Sequence, residues 1–473
     1  MAGTASTPCI ECCMKERFKT VMAAGENAEN KPQTAPTPKL QKVIFLLRDN
    51  KNFAKYYEPR VVSLGPIHHG KEKYRLGEKY KLRLTKDFIT ESCKNVIIDD
   101  LYKKIEQNIK ELRECFEEEV TKPYDNGGLA WILFVDGCAV LQHIYYAVNE
   151  RFEATKIKPD SAAFCQQDLF LLENQLPYRL LESLMSLSKK GDEFRSSIRD
   201  FIKKNHDMVL EGGQQLPGNR ERSEDSKPPP THLLDLLRTS LLGPPGSQTQ
   251  TKKSKIERKD PEWQSYRNLQ ELKAAGIIVK RSCIKTGNYL RSISFARKWI
   301  NLLPGKYFNL HTGHISLPPM IVDDSTRPKF LNMIAYEMCL DFYNDFGVTS
   351  YISFLDSLID EASDVKDLRK ARVLYNFLGS DEEVAQLFNE IGTDLVPDLK
   401  AYKDVKYQIQ ECYDNTWMKF TAEFFHYHFR NSWTGLASLG ALFALFLGAT
   451  QTWFAVFSPD DCNDFCKKFT QNL

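Results

Sequence analysis

The side chains best placed to do chemistry are concentrated in RVVSLGPIHHGKEKY, residues 60–74. His68 and His69 adjoin there, between a Gly65-Pro66 turn and Gly70, with Lys71, Lys73 and Arg75 alongside. Imidazoles ligate metals or move protons near neutral pH. Adjacent side chains seldom converge on one ion, however, and no H-E-x-x-H or C-x-x-C…C-x-x-C spacing accompanies the pair. The stretch therefore reads as a loop whose imidazoles hydrogen-bond to backbone or water. HTGHI places His311 and His314 around Gly313, at an expected turn between strands. Asp323-Asp324 in IVDDSTRP is expected to cap the following helix. Glu173 and Asn174 in LLENQLP are polar residues in an apolar run and, if buried, need hydrogen-bond partners. Cys9, Cys12 and Cys13 cluster near the N-terminus without the further ligands that a zinc site requires. They are acylation candidates beside a membrane, with unmodified thiols as the default. G-x-S-x-G, G-x-x-x-x-G-K-[ST] and G-x-G-x-x-G are absent from the sequence. This reading assigns no catalytic residue, no cofactor and no metal.

Bulk composition narrows the class. The 473 residues carry 64 basic and 62 acidic side chains, a net charge of +2, with 42% hydrophobic and 27% charged residues. That balance describes a globular body without the basic footprint of a nucleic-acid binder. The twelve cysteines are thinly spread, most of them inside apolar runs, as buried hydrophobes rather than a disulfide framework. The first residues lack the apolar core of a signal peptide, and no N-x-[ST] sequon occurs.

The strongest physical signal is NSWTGLASLGALFALFLGATQTWFAVFSP. No charge falls between Arg430 and Asp460, and Trp433 to Phe457 spans 25 residues, about 37 Å of helix, enough to cross a bilayer. Trp433 and Trp453 sit toward the two ends, where aromatic belts lie. Gly440, Ala444, Gly448 and Thr452 recur every four residues, a helix–helix contact face through which a homodimer could form. The expectation is a tail anchor in the plasma membrane or an endomembrane, with the body in the cytosol.

The elements positioning these residues are mainly helical. Residues 1–38 read as a disordered arm and 39–430 as a helical domain with loops at 211–231 and 243–262. A transmembrane helix is expected over 431–458 and a short tail over 459–473. VIIDDLYKKIEQNIKELRECFEEEV carries an amphipathic stripe from Ile97 to Phe116. GLAWILFVDGCAVLQHIYYAV, apolar nearly all round, predicts a central buried helix in which His143 is a core histidine. Pro177 should divide QQDLFLLENQLPYRLLESLMSL. HLLDLLRTSLL predicts a short helix docked on its own core. Residues 277–322, β-branched and cut by Gly and Pro, predict a small β-hairpin-like insert. A last helix over 395–430 should carry an aromatic face from Tyr402 to Tyr427. The fold class is thus mainly α, a multi-helix globular body with that insert and one C-terminal transmembrane helix.

With these pieces in order, the chain resembles the plant-specific domain of unknown function 247 family, also filed as uncharacterised protein family 0481. The matching stretches run in family order from about 42 to 458. They include RVVSLGPIHHG (with Gly65, Pro66, His68, His69 and Gly70), DLFLLENQLPYRLLESL, HLLDLLR, LPPMIVDDSTRPKFLNMIAYE, YISFLDSLIDEASDVKDLRKARVLYNFLGSDEEVAQLFNEIG and NSWTGLASLGALFALFLGATQTWF. The resemblance implies a helical domain with a C-terminal membrane helix and no established enzymatic activity. It also implies recognition or signalling, since some members are associated with self-incompatibility in grasses. Two functions follow as expectations. One is a single-pass membrane protein acting through an unidentified protein partner. The alternative is a membrane-bound hydrolase or transferase built around His68, His69, Asp323 and Asp324.

Overall fold

In the computed structural model the described residues are 19, 37–49, 51–92, 98–152, 158–211, 229–244, 268–282, 289–301, 309–414 and 432–456. The principal elements before the sheet are α1 (Arg75–Ser92), α2 (Ile98–Gln107), α3 (Asn126–Val148), α4 (Pro159–Asp168), α5 (Tyr178–Leu187), α6 (Gly191–Asp207) and α7 (Leu233–Leu242). Then come β1 (Ile277–Arg281), β2 (Ser294–Asn301), β3 (Asn309–Leu317), β4 (Met320–Val322), α8 (Thr326–Glu337), α9 (Gly347–Asp356), α10 (Ala362–Lys370), β5 (Leu374–Asn376), α11 (Asp381–Gly392), α12 (Lys403–Tyr413) and α13 (Ser432–Val456).

The predicted central helix is α3. Asp125 starts it by accepting a hydrogen bond from the Gly128 amide, which satisfies an otherwise orphaned donor. Leu129, Leu133, Cys138, Leu141 and Ile144 are fully or almost fully buried, each such aliphatic side chain worth roughly 1.5–3 kcal/mol. α1, α2, α5 and α6 pack around it. His143 lies in this core, its Nδ1 2.8 Å from the Tyr80 hydroxyl. Burial pushes its pKa down to about 4.

Two further expectations hold as written. Pro177 stands just before α5, with a 3-10 turn (Leu172–Asn174) ahead of it. α7 docks through Leu233, Leu234, Leu237, Leu241 and Leu242, all buried.

Four expectations are corrected. The stripe does not run along one helix, although Leu101, Ile105, Ile109, Leu112 and Phe116 are all buried. α2 ends at Gln107, a second short helix covers Ile109–Glu114, and Phe116 lies beyond both, while Ile97 lies outside the described residues. The break lets the chain double back, and Leu40 pairs with Phe116 in an isolated bridge. The β insert exceeds a hairpin. β2 and β3 are antiparallel, β1 joins β3 in parallel, and β4 pairs in parallel with the distant β5. His311 and His314 belong to strand β3, not to a turn. Among the described residues the expected last helix begins only at Lys403, as α12, not near 395, with Tyr402 before it in a left-handed conformation; residues 415–431, Trp417 to Tyr427 among them, lie outside the described residues. Also outside them are Cys9, Cys12, Cys13, Phe457, the tail 459–473 and most of the 1–38 arm and the two long loops.

The membrane expectation is met only as far as a helix. α13 forms over 25 residues, and from Gly440 to Val456, where its side chains are described, they make a largely exposed apolar run. Among the described residues only Asn126–Val148 is long and apolar enough to cross, and 83% of its most apolar window is buried inside the body. The fold thus contains an exposed apolar helix rather than a demonstrated membrane span.

Candidate functional site

The histidine loop is suspended from buried polar side chains supplied by four other elements. Asp168, at the end of α4, accepts the amides of Arg60 at 2.9 Å, Val61 at 2.8 Å and Val62 at 3.0 Å. Asn174 accepts the Leu64 amide at 2.7 Å and donates to the Val62 and Asp168 carbonyls. Asp136 of α3 accepts the Gly65 amide at 2.8 Å and ion-pairs at 2.6 Å with Lys81 of α1. Lys81 also reaches Glu78 at 2.7 Å and the Ser63 carbonyl at 2.8 Å. Burial pulls the Lys81 pKa down, but Asp136 and Glu78 outweigh it and hold it above the ordinary lysine value.

Gly65 turns the chain at φ +66°, and a Cβ there would stand 3.0 Å from the Gln175 carbonyl oxygen. The position needs both the left-handed region and the missing side chain. The Pro66 carbonyl accepts from the Tyr124 hydroxyl at 3.0 Å. Gly70, also left-handed, closes the loop in open space.

His68 is buried beside Glu173. Its Nε2 is 3.0 Å from a Glu173 oxygen, at ion-pair distance, though not aligned for a hydrogen bond. Nδ1 is 2.8 Å from Lys71 Nζ, and the ring meets Tyr74 edge-on. The other Glu173 oxygen accepts the Val43 amide at 2.9 Å and the Arg48 guanidinium. The expectation of backbone or water partners for the imidazoles is therefore corrected: His68 faces a carboxylate and an ammonium. His69 stacks edge-on against Tyr124. The carboxylates of Asp168 and Glu173 both accept backbone amides and so fix the path of residue 43 and of residues 60–62.

Of the residues expected for a hydrolase, His68 and His69 lie on the loop, and Asp323 and Asp324 just before α8. Asp323 accepts from the Ser325 amide, the Ser325 hydroxyl and the Thr326 hydroxyl at the start of α8. The capping expectation is corrected: the N-cap is Ser325, with no side-chain cap hydrogen bond, and Asp323 instead braces the turn that leads into α8. Among the described residues no hydrogen bond, ion pair or ring contact joins His68 or His69 to Asp323 or Asp324. Lys329, one turn into α8, is buried near Asp323, and desolvation pulls its pKa below the lysine value. Among the described residues no group of three or more His, Cys, Asp or Glu side chains could hold a metal ion.

A different feature lies at the C-terminal end of the body: an open cleft of about 1000 Å³ between α10, β5 and α11. Lys366, Arg369 and Lys370 line one part and Phe377 and Leu378 another. The sequence reading missed it because a three-residue strand carries almost no periodic signal. The run VLYNF, β-branched and aromatic between helices, is the trace it left.

On α13, Gly440, Ala444, Gly448 and Thr452 are exposed, with open space beyond both glycines. Leu442, Phe443, Leu445, Phe446 and Phe454 are all more than 60% exposed.

Comparison with known proteins gives relatives but no solved fold. A family model, DUF247, described as "Plant protein of unknown function", matches residues 40–447. The Arabidopsis thaliana UPF0481 protein At3g47200 is 27% identical over 422 residues, covering 85% of this chain and 83% of its own length. A second Arabidopsis thaliana protein under the same UPF0481 heading, At3g02645, is 21% identical over 472 residues, covering 85% and 87%. No solved structure matches.

Proposed function

We propose, from the premise that this chain belongs to the DUF247 family of plant proteins, that it is a membrane-anchored interaction module. In this reading α13 enters a bilayer and the helical body presents a binding surface without catalysing a reaction.

The observation that carries the reading is the contrast between α3 and α13. Both are long and apolar; α3 is wrapped by neighbouring helices, while α13 leaves Leu442, Phe443, Leu445, Phe446 and Phe454 exposed. Burying an apolar side chain of this size is worth roughly 1.5–3 kcal/mol, so the run as a whole strongly favours an apolar medium. Its backbone amides and carbonyls are already paired within the helix, as a bilayer requires. Exposed Trp453, near one end, suits the interface between headgroups and acyl chains. None of the described cysteines 115, 138, 165, 339 and 412 forms a disulfide, which suits a cytosol-facing body. Support for an interaction role comes from the polar residues around His68, which are engaged in holding backbone.

The test is alkaline carbonate extraction of membranes from cells making the full chain or a chain stopped before Ser432. The full chain should stay in the pellet and the shortened chain should leave it. Release of both sinks the anchor.

A further inference from the structure

The cleft beside β5 has the features of a strand-addition site. The parallel register of β4 with β5 fixes which backbone groups face inward. Met320 donates its amide to the Val373 carbonyl at 2.8 Å, and Phe377 donates to the Val322 carbonyl at 2.9 Å. In a parallel ladder the groups of alternate residues point the other way. The amides and carbonyls of Leu374 and Asn376 therefore face outward, and none has a hydrogen-bond partner among the described residues. On its far side β4 is covered, since Ile321 donates to the Val209 carbonyl and Leu210 bridges Met320. β5 is thus the open edge of this small sheet, and both residues line the cleft.

Natural proteins blunt such edges with short strands and charge. Here the strand is short, yet the next residue, Phe377, is 71% exposed. Across the cleft, Lys366, Arg369 and Lys370 lie three and four residues apart on one face of α10, and all three are exposed. Arg369 is paired with Asp381 and Lys370 with Asp367; Lys366 has no ion-pair partner among the described residues. The walls thus combine a basic face on α10, opposed by Asp381 and Glu382 at the start of α11 but in excess of them by one charge, an exposed aromatic ring and a free backbone edge.

We propose that the β5 edge binds an extended acidic segment of a partner protein by strand addition. Main-chain hydrogen bonds to Leu374 and Asn376 supply register. Lys366 and Lys370 favour the acidic side chains, and Phe377 covers an apolar one. The proposal rests on the interaction-module reading and gives it a location and a class of partner.

The experiment is fluorescence anisotropy with the full chain in detergent micelles. The probe is a labelled hexapeptide of alternating Glu and Val. Controls are the Lys/Val peptide and a Glu/Val peptide N-methylated along one backbone edge. Saturable binding is expected for the acidic peptide alone, lost on N-methylation. Lys366→Glu with Lys370→Glu should weaken it at least tenfold, and Phe377→Ala severalfold; all three positions are exposed, so folding should be spared. Equal binding of the N-methylated or basic peptide overturns the proposal, as does absence of binding. A chain that stays in carbonate-washed membranes yet binds no peptide refutes the edge and leaves the anchor standing. A chain that washes free but binds the peptide does the reverse.

Discussion

Lys81 and Asp136 face each other across 2.6 Å, with 1% of either side chain exposed. The pair ties α1 to α3, and each partner also holds the histidine loop: Lys81 through the Ser63 carbonyl, Asp136 through the Gly65 amide. Removing one member strands a charge in the core, at a cost of about 3–5 kcal/mol. Lys81→Met should lower unfolding stability by that much in urea titrations of the detergent-solubilised chain. Lys81→Met combined with Asp136→Leu should cost less than the sum of the two, because no charge is then stranded and only the Gly65 amide and the Ser63 carbonyl lose a partner, at about 1–3 kcal/mol each. Additive losses would show that the pair is not coupled.

Asp168 is the second anchor of the loop. Asp168→Ala should strand three consecutive amides and cost about 3 kcal/mol or more. Limited proteolysis should then cut within residues 60–70, where the parent chain resists. Asp168→Asn, which keeps an acceptor, should fall between the two.

The loop glycines should separate two costs. At Gly65, alanine meets both a left-handed backbone and the Gln175 carbonyl; at Gly70 it meets only the backbone. Gly70→Ala should cost about 1 kcal/mol, and Gly65→Ala clearly more, both read from shifts in the urea midpoint. Equal costs would mean that the close approach at Gly65 carries no weight.

A pH effect follows from His232. Its Nδ1 accepts the Asp235 amide at 3.1 Å to start α7, and burial pushes its pKa down to about 3. The unfolded chain has an ordinary imidazole near 6.5, so below that pH it takes up protons that the folded state refuses. The stability contribution is complete above about pH 6.5 and is lost as pH falls toward 3. His143, pushed down to about 4, acts in the same direction. Thermal melts from pH 7 to 4.5 should show a steeper fall for the parent than for His232→Asn, which caps without titrating. Parallel pH profiles would remove His232 from the account.

Local elements were legible because their signals are local. The start of α11 is set locally, the Ser380 hydroxyl accepting the Glu383 amide three residues on. Pro177 and the leucines of α7 were read correctly for the same reason. Asp168 was not singled out, because its partners lie 106 to 108 residues away and nothing local distinguishes it from a solvated helix-end carboxylate. The partners of Glu173 and Asn174 were equally hidden, although their need for partners was evident from the apolar run around them. β5 was invisible because its pairing with β4 spans three helices. The histidine pair looked like chemistry from its residue types; its partners were beyond the reach of the sequence, and they turn it into part of a clamp.

Protease protection on intact microsomes tests the central claim most directly, with one tag at the N-terminus and another after Leu473. The account predicts that added protease digests the body and its tag while the C-terminal tag survives until detergent opens the vesicles. Digestion of both tags on intact vesicles would contradict it, since α13 would then lie on the membrane or away from it rather than across it.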